Sequence, residues 1–173
     1  EVVACYRTET KTYICAWHHD GTVVSGWSGK ELAGVMNFAP GIADIDKDKL
    51  PEIIMGDENG RVWVWHGDGS LVAGFGGAFT SPYDDILTAP VIGDVDGDGD
   101  MEIIVGTGDN GGSGIAYLYV LDKSGIIEGK LLVTNKIRST PAIGDIDGDD
   151  SQEIVVGCDD GKVYAWHAVS ESA

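Results

Sequence analysis

The sequence predicts an all-β protein built from repeated units of four short antiparallel strands, and three observations carry that prediction. An acidic stretch occurs three times, beginning at Asp44, Asp94 and Asp145. Its flanks keep the same period, with Pro40, Pro90 and Pro141 before it and Gly56, Gly106 and Gly157 after it. Between the copies lie short apolar or alternating runs separated by Asp-Gly and Asn-Gly turns, and no stretch shows capped helical periodicity. A repeat of about 50 residues is the signature of a solenoid, a propeller or an array.

Residues 1–27 read as the back part of one repeat, with strands at 2–5, 13–18 and 22–27 and an Asp20-Gly21 turn. The next unit, 28–76, holds strand A at 41–43, the acidic loop, strand B at 52–55, a turn at 57–60, strand C at 61–65 and strand D at 70–75. The third, 77–134, repeats this order at 91–92, 103–105, 115–121 and 126–133. The last, 135–173, supplies 142–143, 154–156 and 163–167. These partial and full sets make fourteen expected strands.

Strand B is apolar without alternation, as a strand covered on both faces must be. Strand C alternates, placing Trp63 with Trp65, Tyr117 with Tyr119, and Tyr164 with Trp166 on one face. That combination favours β-propeller blades over a two-sheet sandwich. Beginning and ending inside a blade, the chain reads as a fragment of a larger propeller. Alternatively, copies self-associate through exposed blade edges, because an uncovered blade face is an apolar liability.

The 173 residues suffice for one cored domain. A hydrophobic share of 43% with 26 glycines suits a turn-rich β chain rather than a disordered one. Of the 29 Asp and Glu behind the net charge of −18, fourteen lie in the three acidic stretches. The remaining acidity argues against nucleic acid or an anionic membrane as partner. No apolar run approaches the roughly 18 residues of a membrane-spanning helix, so no membrane insertion is expected. Glu1 opens directly on strand-like sequence, which reads as a mature or trimmed piece. Cys5 and Cys15 flank a hairpin centred on residue 10, and both a disulfide and buried free thiols are open readings.

The acidic stretches carry the chemistry. In Asp94-Val95-Asp96-Gly97-Asp98-Gly99-Asp100-Met101-Glu102, carboxylates alternate with small or apolar residues. Like charges this close repel by about 1 kcal/mol per pair even in water, so a folded loop needs a cation. A flexible all-oxygen donor set suits Ca²⁺. The spacing assigns Asp94, Asp96 and Asp98 as side-chain ligands at positions 1, 3 and 5, Asp100 through its carbonyl at position 7, and Glu102 as the closing acid at position 9. The same roles fall to Asp44, Asp46, Asp48, Leu50 and Glu52, and to Asp145, Asp147, Asp149, Ser151 and Glu153. Two or three Ca²⁺ ions are expected. Gly99 at position 6 permits a positive φ; Lys49 and Asp150 must adopt the same conformation in the other two loops. An EF-hand would close at position 12 between helices, whereas here a strand follows at once.

The motif at 90–106 and 141–157 resembles the calcium-loop repeat of the integrin α-subunit propeller, the FG-GAP family with its VCBS-like bacterial relatives. An aromatic strand, Asp-Gly, then Gly-Phe or Gly-Trp at 65–75 and 17–27 looks like the secreted bacterial branch. The resemblance implies a calcium-bound propeller, secreted or at the cell surface, with cell adhesion among its roles. The first loop departs from the pattern, carrying Lys47 and Lys49 where the middle loop has Gly97 and Gly99.

Other candidates read as structure. Trp17, Trp65 and Trp166 recur at one repeat position and read as packing rather than a sugar platform. His18, His66 and His167 also share a position and read as edge residues beside a turn. The glycine-rich 108–114 loop lacks the Lys-Ser/Thr and helix of a phosphate cradle. No general acid and base stand apart from the repeats, which points to a non-enzymatic chain. Strand direction places the acidic loops and C–D turns on one edge and the irregular segments on the other. There Arg7, Trp27, Tyr83, Asp84, Asp85, Asp109 and Asn110 are the first candidates for contacting a protein or glycan. The expected function is binding, adhesion or scaffolding. The alternative is an accessory propeller of an extracellular polysaccharide lyase or peptidase, with its catalytic residues outside this chain. A quinone-cofactor propeller, faintly suggested by residues 163–166, does not carry such acidic loops.

Overall fold

The structure is a computed structural model and describes residues 1–9, 11–32, 35, 38–75, 85–108 and 112–167. Those residues form thirteen strands in four antiparallel sheets. The first sheet holds β1 (Val2–Arg7), β2 (Thr12–Trp17) and β3 (Val23–Leu32). The second holds β4 (Gly41–Ala43), β5 (Glu52–Gly56) and β6 (Val62–Trp65). The third has four strands, β7 (Val91–Gly93), β8 (Glu102–Gly106), β9 (Ala116–Leu121) and β10 (Ile127–Val133). The fourth has β11 (Ala142–Gly144), β12 (Glu153–Gly157) and β13 (Val163–His167).

Each sheet is a meander in chain order, and consecutive sheets stack face to face over a shared apolar layer. Ile14, Ala16 and Trp27 of the first sheet meet Ile53, Met55 and Trp65 of the second. Ile54, Val62 and Val64 of the second meet Ile103, Val105, Tyr119 and Leu121 of the third. Ile104, Leu118 and Val120 of the third meet Ile154 and Val156 of the fourth. Alternate residues of β5 and β8 thus serve opposite layers, and both strands are buried along their whole length. The unalternating strand B is the physical trace of a sheet sandwiched between two neighbours. This stack of small sheets is propeller-like, and no sheet closes on itself.

Close approach of the sheets is set by glycine. A Cβ on Gly41 would lie 2.4 Å from Ile92 Cδ1, and one on Gly93 would lie 2.1 Å from Ile143 Cδ1. β7 thus offers Gly93 as a gap to the next sheet and Ile92 to the gap at Gly41 of the previous one.

One expectation is corrected, and one open question is decided. The strand expected at 70–75 is reduced to one bridge, Trp65 with Leu71, and a Val72 N–H bond to Val64 O. Gly74 turns the chain away at φ 93°, its backbone pressed against Ser124 O. Cys5 and Cys15 form no disulfide. Cys5 pairs with Ile14 and Cys15 with Ala4, a register that points the two thiols to opposite faces of the hairpin. Cys5 instead donates to Met55 Sδ at 3.3 Å, and burial pushes its thiol up to about 11.

Candidate metal-binding loops

The acidic loops connect β4 to β5, β7 to β8 and β11 to β12, and all three have one internal hydrogen-bond plan. The position-1 aspartate accepts the position-6 N–H: Lys49 to Asp44 Oδ2 at 2.9 Å, Gly99 to Asp94 Oδ2 at 3.0 Å, Asp150 to Asp145 Oδ2 at 3.1 Å. The position-5 aspartate accepts the position-7 N–H, from Leu50, Asp100 and Ser151 at 2.7–2.8 Å. The position-9 glutamate reaches back to the position-2 N–H, from Ile45, Val95 and Ile146 at 2.8–3.0 Å. Both position 4 and position 6 have positive φ: Lys47 and Lys49, Gly97 and Gly99, Gly148 and Asp150. Curling the chain this way aims its N–H groups at one carboxylate and gathers the remaining acids.

The gathered oxygens are close. One ligand atom from each of Asp44, Asp46 and Asp48 lies within 4.8 Å of the others, and so do those of Asp145, Asp147 and Asp149. In the middle loop the set is Asp94, Asp96 and Glu102, with Asp98 outside it. Glu52 and Glu153 group instead with Asp46 and His66 and with Asp147 and His167. Leu50, Asp100 and Ser151 meet the loop through their backbone N–H groups, which donate to the position-5 aspartates. The Asp100 side chain is spent on ion pairs with Lys47 and with Lys123, the latter at 2.7 Å.

The electrostatics are those of a cage built for positive charge. Burial, together with Asp96, Asp98 and Glu128, pushes the Glu102 carboxyl up to about 7 although Val95 donates to it. Glu128, nearby, is also raised by burial and by the same acids. Asp100 is held down at about 2 by its hydrogen bonds to Lys123 and Lys47. In the first loop the buried Asp44 Oδ1 has no hydrogen-bond partner, because Lys47 N does not donate there as Gly97 and Gly148 do to Asp94 and Asp145. An all-oxygen set with an orphaned buried oxygen fits a hard divalent cation. Such an ion would pull Glu102 back to its charged form.

Residues 44–105, the first two of these loops and the sheet between them, match the FG-GAP-like repeat. The chain carries an FG-GAP-like repeat. No curated protein matches it. Among solved structures, the computationally designed Ika4 protein is similar over 96% of this chain and 91% of its own, at 14% identity and a TM-score of 0.56. BBS1N in complex with ARL6DN, soaked with mercury, is similar over 99% of this chain at 15% identity and a TM-score of 0.55. The lead-soaked form of the same complex gives 15% identity and 0.54 over 97%. This chain spans about half of BBS1N, 48% and 54% in the two structures.

The sequence candidates for ligand contact are expected toward the opposite edge of the stack. Trp27, a sequence candidate for ligand contact, is fully buried between the first two sheets, and its indole N–H donates to Gly67 O at 2.8 Å. It is a packing residue. Arg7 and Asp85 are exposed, while Tyr83, Asp84, Asp109 and Asn110 lie outside the described residues. Sequence reasoning treated His66 and His167 as edge residues, and the structure puts both against loop carboxylates. The available signal was that histidine, closing glutamate and position-3 aspartate all recur together in the second and fourth units.

Proposed function

We propose that this chain is a calcium-stabilised, non-enzymatic propeller segment of a secreted or cell-surface protein. It holds a rigid set of sheets for protein or glycan binding, or as a scaffold beside another domain. The observation that supports it is the threefold recurrence of one loop plan in which backbone N–H groups fix the first aspartate and the other acids converge. Fixing like charges together costs free energy that the sheets gain nothing from, whereas a bound cation offsets it. Each loop joins the first two strands of its sheet, so an ion there clamps the hairpin that carries strand B.

Thermal unfolding of the metal-stripped chain, with and without added Ca²⁺, tests the reading. An ion at 100 times its dissociation constant adds about 2.7 kcal/mol per site, so saturating Ca²⁺ raises Tm by several degrees and metal analysis finds two or three ions per chain. Superimposable curves with and without Ca²⁺ would sink it.

A further inference from the structure

The three loops differ in what faces the closing glutamate. Glu52 and Glu153 each use Oε2 to accept the N–H of Ile45 or Ile146, which leaves Oε1 pointing at a ring. His66 Nδ1 lies 3.2 Å from Glu52 Oε1 and 3.9 Å from Asp46 Oδ2. His167 Nδ1 lies 2.8 Å from Glu153 Oε1, and its Nε2 lies 3.7 Å from Asp147 Oδ2. In each loop one atom from all three residues falls within 4.8 Å of the others.

The Glu153 side chain is only 4% exposed, yet its Oε1 receives no hydrogen bond. A ring nitrogen sits 2.8 Å away without aiming a proton at it. In the fourth unit a buried oxygen and a nitrogen that lie together without a hydrogen bond are arranged as two ligands of one cation; in the second unit His66 Nδ1 and Glu52 Oε1 share a hydrogen bond at 3.2 Å, which a cation would replace. In the middle unit Asp122 occupies the histidine position and accepts bonds from Ser124 and Ile126, so its cluster contains oxygen only.

We propose that the Asp46–Glu52–His66 and Asp147–Glu153–His167 clusters are sites for a divalent transition ion of the Zn²⁺ class. Imidazole nitrogen is a donor that Zn²⁺ takes readily and Ca²⁺ does not. Tetrahedral Zn²⁺ with ligands at 2.0–2.2 Å sets its donor atoms about 3.3–3.6 Å apart; the two distances from His66 Nδ1, 3.2 and 3.9 Å, bracket that spacing, and His167 would ligate through one nitrogen, its three donors lying within 4.8 Å of one another. Solvent completes the fourth position. The second and fourth units thus offer a nitrogen-containing site that the middle one lacks, through a single histidine each. The inference uses loops of the calcium reading but does not depend on calcium binding itself.

The test is Zn²⁺ alone added to the metal-stripped 173-residue chain, followed by calorimetric titration and analysis of bound metal. The wild type takes up two Zn²⁺, one per cluster. His66→Ala and His167→Ala each lose one, and the double variant weakens uptake by at least tenfold. His18→Ala, at the equivalent place but with no acidic loop, leaves uptake unchanged; its own carboxylate neighbour is Glu1 at 3.0 Å. His66→Gln with His167→Gln retains a polar contact to each glutamate but supplies no zinc ligand, so it separates coordination from positioning, with circular dichroism reporting the fold. Co²⁺ in place of Zn²⁺ gives tetrahedral visible absorption that both double variants lose. No zinc uptake by the wild type, or uptake unchanged in either folded double variant, would overturn the proposal. Failure of the calcium reading shows separately, as unfolding indifferent to Ca²⁺ in a chain that still takes up zinc.

Discussion

Glu102 shows what one side chain gives up to build the middle loop. Its carboxyl is 2% exposed among other acids, and its folded pKa is raised from 4.5 to about 7. A carboxyl raised on folding holds a proton that the unfolded chain has released. Its contribution to stability is complete below the unfolded pKa and is lost as pH rises through the folded one. The metal-stripped protein is therefore expected to lose stability from pH 5 to pH 7, with Glu128 adding in the same direction. Asp100, lowered to about 2 from 3.8, titrates below that window and does not oppose it. Ca²⁺ reverses the trend, since it binds the deprotonated form that dominates at the upper end. Urea midpoints at the two pH values, stripped and calcium-loaded, read both slopes; a stripped protein that grows more stable toward pH 7 would contradict this account. The acidic loops were legible because the alternation of their carboxylates is strict. Less so was the curl at position 4: glycine at 97 and 148 was visible, but the need for positive φ is clear only once Gly97 N–H and Gly148 N–H are seen turned to the position-1 aspartate. Lys47 and Lys49 accept the same conformation at about 1–2 kcal/mol each.

At the level of elements, strands B and C were readable because burial imposes a pattern on sequence: continuous apolar residues where both faces are covered, alternation where one is. Strand D was readable in the first and third units, where it is β3 and β10, but not in the second, because an edge strand owes its form to the neighbour it meets. The segment 70–75 has the composition of a strand, but the turn at Gly74 against Ser124 O takes it out of the sheet. Of the two readings open for Cys5 and Cys15, the structure has the free thiols. Hairpin symmetry was measured from residue 10, and the true register differs by one residue, which in a strand exchanges faces. The β5–β6 hairpin carries a device that sequence alone did not disclose. Asp57, fully buried, accepts the N–H groups of Asn59 and Arg61 on Oδ1, and the Arg61 side chain and Trp63 Nε1 on Oδ2, all at 2.7–3.0 Å. Removing that carboxylate strands several donors at once, and breaking a buried charged network costs about 3–5 kcal/mol. Asp57→Ala is thus expected to shift the denaturant midpoint by that amount without changing calcium stoichiometry. A cost under about 1 kcal/mol would mean that water replaces the carboxylate at little loss.

The whole molecule is a stack whose inner interfaces are complete and whose outer faces are not. Gly93 receives Ile143 of the next sheet, while nothing lies within 4 Å of where a Cβ on Gly144 would stand. On the same outer sheet Val163 is 74% exposed, and at the far end Val2 is 59% exposed. Gly93→Ala forces the Ile143 tip aside, and overpacking of this kind costs about 1–3 kcal/mol. In an isolated stack Gly144→Ala meets open space and stays within about 0.5 kcal/mol of wild type. Neither glycine has a positive φ, so the comparison isolates packing from backbone strain. Self-association through blade edges would seat a further sheet over Gly144, and the two substitutions would then cost alike. Unfolding of both variants, paired with mass in solution across a range of concentrations, distinguishes the cases. Equal cost with a concentration-dependent mass places another copy on the outer face, and unequal cost with a single-chain mass leaves that face free for a partner of different sequence.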